Sequence, residues 1–285
     1  MANTGREGRK AGSRQAAWEF FGLELKARRE AAGLTQGELG RRVFVSGGYI
    51  GQFEQAIRKP QKDVAARIDE ILQTDGFFER MWKKLIADSP YTEYFAYVAE
   101  LEQLATKICE YAPAVVPGLL QTAEYARAVY LASNPLASDE YIEDMVRVRT
   151  DRAAVLKDAA RPVYWVVLHE ATLRIQVGEP AVMAGQLDCI VAMACERKVL
   201  VQVLPFSAGA HPQMGKLLTL MEFADAPPTA YTEGVLSGNL LDNPAVVRRA
   251  QGDYDLLRAT ALSPETSLAM IDSVAEDYRR CVRTT

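Results

Sequence analysis

The sequence predicts two domains of different class, a compact all-helical domain followed by a larger α+β domain with an antiparallel sheet flanked by helices. The first 70 or so residues contain four or five helical segments joined by very short turns. The later part contains three successive strand-like stretches, at 199–204, 216–223 and near 229–235. Charge divides in the same way. Residues 1–62 carry 12 Lys and Arg against 6 Asp and Glu, whereas residues 63–285 carry 21 against 31.

The first two helices are predicted from apolar spacing and from their end residues. Apolar residues recur at helical intervals over 18–32, and Gly33 follows as a typical C′ glycine. Thr35 is placed to cap the second helix, and Glu38, three residues later, completes a capping box. This second helix is expected to run to about Val43.

The third and fourth helices follow after short turns. Ser46 is a good N-cap for a helix that continues to about Phe53. Lys59 and Pro60 close this unit, and a fourth helix is expected over 63–72. The sequence therefore predicts a disordered tail at 1–15, a helical domain at 16–75, a linker helix at 76–90 and the α+β domain at 91–285.

Within the α+β domain, helices and strands are predicted from periodicity and from β-branched content. The helices are expected at 91–111, 122–132, 138–157, 179–196 and 244–259, with a last one starting near Ser263. The strands are expected at 162–168, 199–204, 216–223 and 229–235. Asn243 and Pro244 form a favourable helix start.

Composition argues against membrane, secreted and zinc-binding classes. No apolar run approaches the roughly 18 residues of a membrane helix, and the first residues are polar and basic, so we expect a cytoplasmic protein without membrane contact. The four cysteines form no CxxC pair and have no neighbouring histidine, which indicates neither a zinc site nor a disulfide framework. A basic first part suits a partner that is a polyanion, although chance clustering with a basic tail would give the same asymmetry.

The stretch LTQGELGRRVFVSGGYIGQFE, with Thr35, Leu39, Val43, Ile50 and Glu54 at fixed spacing, resembles the helix-turn-helix of the phage-repressor and xenobiotic-response-element family. The resemblance covers about residues 18–73. It implies that the second helix crosses the DNA backbone and that the third lies in the major groove. It also implies a buried or half-buried ion pair between Arg29 and Glu54. A helical bundle that binds no DNA, or that docks a protein, is the alternative.

The resemblance implies DNA-contact roles for a set of residues in this segment. Gln36 would meet a phosphate, and the base-reading positions fall on Gly47, Gly48 and Gln52. Ser46 would cap the reading helix, and Tyr49 would stack on a sugar or cover a thymine methyl. Phosphates would be held by Arg41, Arg42, Arg58 and Lys59. Two of three reading positions are glycines, so we expect recognition of double-stranded operator DNA largely through phosphates and DNA shape, helped by homodimerisation. The family's usual glycine after the third helix is absent, and the segment reads Gln55-Ala56-Ile57.

Two later stretches, VVPGLLQTAEYARA at 115–128 and VQVLPFSAGAHPQMG at 201–215, resemble a larger group of actinobacterial regulators. These carry a C-terminal domain of uncharacterised function, are often encoded beside a small partner protein, and are described as antitoxin-like. The resemblance supplies no ligand and no enzyme chemistry.

Function is therefore expected to be transcription regulation by a dimer whose second domain senses a small molecule or a partner protein. The sensing surface is expected near Leu119, Tyr125, His169, His211 and Met214. An antitoxin-like protein that sequesters a small neighbour-encoded protein is the alternative, and a DNA-tethered enzyme is a third hypothesis. No catalytic residues, metal site or cofactor are expected, because no nucleophile–base set is visible and two histidines are too few for a usual metal cage.

Overall fold

The computed structural model describes residues 4–87, 93–157, 162–224, 226–233 and 238–284, with side chains omitted at 4–17, 84–87, 93–97 and 283–284. The chain forms two compact units. The first comprises residues 1–101, and the second comprises residues 102–285 apart from the short segment 225–227.

The first unit is helical. Its helices are α1 (Thr4–Ala31), α2 (Gln36–Arg42), α3 (Gly47–Glu54), α4 (Lys62–Leu72) and α5 (Phe77–Ala87), and α6 (Glu93–Leu104) runs on into the second unit. α1 begins inside the segment 1–15 for which the sequence predicts a disordered tail, and residues 1–3 of that segment lie outside the described residues. Large apolar side chains from α1, α2, α3, α4 and α5 share one core, including Phe21, Leu39, Ile50, Ile68 and Phe78.

The predicted caps of the short helices are confirmed. The Thr35 hydroxyl accepts a hydrogen bond from the Glu38 backbone N–H at 3.2 Å, and the Glu38 carboxylate accepts from the Thr35 N–H at 2.8 Å. The Ser46 hydroxyl accepts from the Tyr49 N–H at 3.3 Å. Each cap supplies an acceptor to a backbone donor that has no partner within its helix.

The helix α5 is fastened to the rest of the first unit by two polar contacts. The carboxylate of Asp69, which is buried, accepts from the backbone N–H groups of Phe78 at 2.9 Å and Glu79 at 2.8 Å. The indole N–H of Trp82 donates to the carbonyl of Pro60 at 2.8 Å. The segment predicted as a linker helix is thus part of the helical unit where it is described.

The second unit is α+β, as predicted. Its strands are β1 (Lys107–Ala112), β2 (Val163–His169), β3 (Leu200–Leu204), β4 (Leu218–Glu222), β5 (Thr229–Glu233) and β6 (Gly238–Leu241). Its helices after α6 are α7 (Ala123–Ser133), α8 (Asp139–Arg152), α9 (Glu170–Arg174), α10 (Pro180–Cys195), α11 (Pro244–Thr260) and α12 (Pro264–Thr284). Each of the four predicted strands and each predicted helix except 91–111 has a counterpart within a few residues.

The sheet is mixed rather than antiparallel, which corrects the prediction. Among the described residues its order is β3-β2-β1-β4-β5-β6, with β1, β2 and β3 mutually parallel and the remaining pairs antiparallel. The parallel part arises because helices connect β1 to β2 and β2 to β3, and such crossovers return the chain in the same direction.

The strand β1 begins inside the segment 91–111 that the sequence predicted as a helix and ends one residue beyond it. All of its residues from Ile108 to Ala112 are buried, so it shows no alternation of polar and apolar residues. Its sequence KICEYA has polar residues at Lys107 and Glu110, three apart, and two apolar residues after each. This spacing is closer to a helical period than to the alternation of a strand, so after α6 it prolongs a helical pattern.

The sheet and its helices bury both apolar side chains and polar pairs. One face packs apolar side chains such as Tyr111, Val167 and Leu220 against α11. Two buried polar pairs also lie within this unit. Tyr164 donates from its hydroxyl to the Glu110 carboxylate at 2.6 Å, and Arg152 donates to both carboxylate oxygens of Glu102 at 2.8 and 2.9 Å.

Candidate functional site

The helices α2 and α3 approach each other backbone to backbone. A Cβ atom added to Gly47 would lie 2.9 Å from the Cα atom of Gly37, closer than real Cβ contacts come. A Cβ on Gly40 would lie 2.8 Å from the Val45 carbonyl oxygen. The glycine at 47 is therefore required for packing, since any side chain would push the two helices apart.

The neighbouring glycine is in a different situation. A Cβ added to Gly48 would meet just one atom within 4 Å, the Ser46 hydroxyl oxygen at 3.7 Å, and the residue is exposed. Packing thus leaves room for a side chain at this predicted base-reading position, and Gly48 presents bare backbone there. Packing of α2 against α3 therefore explains the glycine at position 47 but not the glycine at position 48.

The rest of α3 is buried, and three residues predicted to contact DNA are among the buried residues of the first unit. Tyr49 is 4% exposed, Gln52 is 9% exposed, and Arg58 beyond the helix is 3% exposed. The guanidinium carbon of Arg58 lies 4.5 Å from the centre of the Tyr49 ring. Residues three and four apart share one helix face, so Gln52 and Phe53 both lie on the side of α3 that carries the buried Tyr49.

Two other predicted phosphate contacts form bonds inside the first unit. The Gln36 side-chain amide donates to the Glu54 carboxylate at 2.8 Å, and it packs against Gly51, where a Cβ would lie 3.2 Å from the amide oxygen. The ammonium of Lys59 pairs with the carboxylate of Glu100 and lies 5.2 Å from the centre of the Trp18 ring. Both side chains are half-buried.

The predicted contacts that remain on the surface lie around the turn between α2 and α3. Arg41, Arg42, Ser46 and Gly48 are exposed, and we call these four residues the turn set. Sequence reasoning missed Phe44, which lies in the same turn, is 75% exposed and has the guanidinium of Arg67 at 5.4 Å from its ring centre. Its neighbours Val43 and Val45 are apolar, so no local sequence signal marked this side chain as exposed. The turn set supplies two cations and a capped helix start, which suits phosphate oxygens.

The turn after α3 keeps a left-handed residue although its glycine is replaced. Ala56 has φ of 55°, and the turn is closed by the Ile57 N–H, which donates to the Gln52 carbonyl at 3.0 Å. Phe44, in the preceding turn, has φ of 63°. The left-handed conformation is unfavourable for residues other than glycine, so Ala56 and Phe44 each lower the stability of the fold slightly.

In the second unit, the five predicted surface residues separate into two groups. Leu119 and Tyr125 are 1% and 0% exposed, and the Tyr125 hydroxyl accepts from the Val116 N–H at 3.2 Å. Both residues therefore belong to the core. Tyr125 also stabilises the backbone after β1 through this hydrogen bond. Met214 is exposed, and the two histidines lie together.

His169 and His211 have their ring centres 5.5 Å apart. His169 ends β2, and Tyr111 stands near the end of β1 with its ring centre 5.5 Å from that of His211. Because β1, β2 and β3 are parallel, these side chains share the carboxyl edge of the sheet, where open α/β sheets place ligands. Burial, and then the neighbouring His211, lower the pKa of His169 below its usual value.

A separate cleft of about 580 Å³ lies at the opposite edge of the same strands. Val163 and Leu200, at the starts of β2 and β3, line it together with Arg197, Lys198 and Leu268. The sequence reasoning did not identify this cleft. Among the residues that the structure describes, no group of three or more metal-ligating side chains occurs, and no helix is long and apolar enough to cross a membrane.

Comparison with protein families divides the chain in the same order as the fold. A model described as a helix-turn-helix domain matches residues 21–76. A model described as a domain of unknown function, DUF5753, matches residues 95–273, which is more than half of the chain. No curated protein matches the chain significantly. No solved structure does so either.

Proposed function

The chain belongs to the DUF5753 family and carries a helix-turn-helix domain ahead of that domain, and from this premise we propose a dimeric, DNA-binding transcriptional regulator. In this proposal the first unit binds double-stranded operator DNA, and the second unit pairs two copies and receives a signal. The signal is a small molecule or a partner protein. No catalytic step is part of the proposal.

The turn set carries the proposal for DNA. Arg41 and Arg42 end α2 with exposed guanidinium groups, and the capped start of α3 follows directly with Gly48 open to its surroundings. A helix start with nearby cations binds phosphate oxygens and brings the backbone close to the duplex. Residues 1–62 carry 12 Lys and Arg against 6 Asp and Glu, which adds a favourable long-range field for a polyanion.

Sequence discrimination by one copy is expected to be small. With Gln52 and Tyr49 buried and bare backbone at Gly47 and Gly48, α3 offers few side chains to base edges. Each good bidentate base contact is worth about 1–3 kcal/mol, so a single half-site gains little without them. Pairing of two copies and recognition of DNA shape would supply the missing selectivity.

The decisive experiment compares the full chain with the variant Arg41→Ala/Arg42→Ala in genome-wide DNA enrichment and in binding to the enriched sites. We expect the variant to lose affinity for all sequences alike, with the slope of log affinity against log salt reduced by about two. Arg147→Ala/Arg280→Ala is the matched control, because both arginines are exposed, on α8 and α12, and the double change also removes two positive charges. Equal enrichment and equal salt slope for variant and native chain would overturn the DNA role of the turn set.

Two further outcomes test the remaining parts of the proposal. Sedimentation of the full chain should give a dimer at micromolar concentration, and a monomer at the concentrations that bind DNA would contradict pairing. Purification from the native cell should enrich DNA. A stoichiometric small protein without DNA enrichment would favour the alternative, an antitoxin-like interaction protein that sequesters its neighbour-encoded partner.

A further inference from the structure

Four side chains meet at the carboxyl edge of the parallel strands, namely Tyr111, His169, Phe206 and His211. Together with the exposed Met214, three residues after His211 in the same loop, we call them the imidazole cluster. We propose that the imidazole cluster binds a small planar aromatic molecule that carries a hydrogen-bond acceptor, such as an aryl ketone. This inference rests on the proposed function, because it gives the signal-receiving unit a ligand class and a site.

The hydrogen bonds of His169 determine its tautomer. Its Nδ1 accepts from the Ala171 backbone N–H at 3.1 Å and so caps α9. An atom that accepts carries no proton, and the lowered pKa keeps the ring neutral near pH 7. The proton therefore sits on Nε2. Among the described residues, no side chain or carbonyl accepts from this Nε2–H, so the cluster holds an unused donor.

The partner ring has the opposite tautomer. Nδ1 of His211 lies 2.6 Å from the carbonyl oxygen of Pro212, and a carbonyl can only accept, so Nδ1 is the protonated nitrogen. Its Nε2 lies 3.4 Å from the Tyr111 hydroxyl, which is placed to donate to it. Only one of the two rings therefore has a nitrogen lone pair facing the cluster. The pair can therefore donate a hydrogen bond from His169, but its two rings do not present two lone pairs that could chelate a metal ion.

The walls of the cluster are aromatic and partly open. Phe206 is 53% exposed, and its ring centre lies 5.3 Å from that of His169 at an interplanar angle of 75°. Met214, three residues after His211 in the same loop, is 64% exposed and has a polarisable thioether. Aromatic rings stack or pack edge to face on planar partners, and thioethers pack well against aromatic rings. In the proposal, a flat aromatic ligand packs on these rings and places its acceptor group on the His169 donor.

The exposed phenylalanine is held in place and not simply left in solvent. The buried Glu170 carboxylate accepts from the Phe206 backbone N–H at 2.9 Å. At the far end of the loop, the Gln213 amide donates to the Asp253 carboxylate at 2.6 Å. An apolar side chain on a loop anchored at both ends loses little entropy on binding, which favours a preformed site.

The chain contains two histidines in total, so imidazole nuclear magnetic resonance reports on this site without interference. Long-range ¹H–¹⁵N spectra of the full chain at pH 7.5 should show His169 protonated on Nε2 and His211 on Nδ1. Titration with acetophenone should shift both rings along a saturable curve, with a dissociation constant on the order of 1–10 mM for so small a probe. Toluene, which lacks the acceptor, should bind about two- to tenfold more weakly. Reversed tautomers, or shifts that do not saturate, would overturn the proposal.

Variants separate a binding role from a structural one. His169→Asn keeps an oxygen that can cap α9 but removes the donor ring, so the fold should persist while acetophenone affinity, read at His211, falls at least fivefold. Phe206→Ala should weaken affinity by a similar factor, and Leu136→Ala, which changes a 99% exposed side chain of the same unit, should not. Undiminished affinity in either of the first two variants would contradict the assignment. These measurements contain no DNA, so their failure leaves the DNA-binding proposal untouched, and failure of DNA binding leaves them interpretable.

Discussion

The guanidinium of Arg29 donates to both carboxylate oxygens of Glu54, at 2.5 Å from Nε and 3.1 Å from Nη2. The predicted ion pair between the first and third helices is thereby confirmed, with side-chain exposures of 8% and 3%. Arg29 also donates to the Leu34 carbonyl at 2.8 Å, and Gln36 donates to the same carboxylate. Hydrogen bonds to the Arg29–Glu54 pair thus connect α1, the α1–α2 turn, α2 and α3.

Arg29→Met should destabilise the chain by about 3–5 kcal/mol, because it leaves the Glu54 carboxylate buried without its cation. Arg29→Met/Glu54→Leu should recover much of that loss, since both charges are then absent. Urea denaturation measures both free energies of unfolding. Arg147→Met is the control, because the Arg147–Asp144 pair is exposed, and it should cost less than about 1 kcal/mol. A double variant as unstable as the single one would contradict this reasoning.

Ala56→Gly should stabilise the protein by about 1 kcal/mol, because φ of 55° at this position favours a residue without Cβ. The same substitution at Ala27, an exposed residue within α1, should destabilise by a similar amount, since glycine weakens a helix interior. Thermal unfolding of the two variants should therefore shift in opposite directions. A shift of the same sign in both would show that the left-handed turn carries no cost here.

Gly47→Ala and Gly48→Ala should behave differently although the residues are adjacent. The first places a Cβ 2.9 Å from the Gly37 Cα atom and should destabilise by about 1–3 kcal/mol, the usual cost of overpacking. The second meets open space and should be neutral or stabilising by up to about 0.5 kcal/mol. Denaturation midpoints distinguish the two. Equal losses would mean that Gly48 is also needed for the fold.

Glu110→Gln should change stability in a pH-dependent way. Burial raises the pKa of Glu110 to about 7, against the lowering effect of the Tyr164 hydroxyl bond. The folded state therefore holds a proton that the unfolded state releases from about pH 4.5 upward. The contribution of Glu110 to the free energy of unfolding is therefore largest below about pH 4.5 and is lost as pH rises through 7. Glutamine keeps an acceptor for Tyr164 and never ionises, so the variant should gain about 3 kcal/mol relative to the native chain between pH 5 and pH 8. The same stability difference at both pH values would contradict the raised pKa.

The sequence by itself determined the elements whose signals are local. The Thr35–Glu38 capping box and the Ser46 cap depend on residues within one turn of helix. The Arg29–Glu54 pair, by contrast, was implied by the resemblance to the phage-repressor family. The four predicted strands combine β-branched residues with turn residues at their ends. These signals depend on neighbouring residues and not on long-range contacts, so they can be recognised from the sequence.

Tertiary structure decided which side chains reach the surface and how the strands pair. Tyr49, Gln52 and Arg58 are buried because the phase of α3 and the turn after it are set by packing on the other helices. Gly47 is required because α2 and α3 meet backbone to backbone, a contact between residues ten apart in sequence. β1 becomes a parallel strand because helical crossovers return the chain beside it, and its burial on both faces removes the alternation that would have revealed it. The meeting of His169 with His211 likewise depends on parallel strands that end at one edge, and strand direction is a property of connections between distant segments.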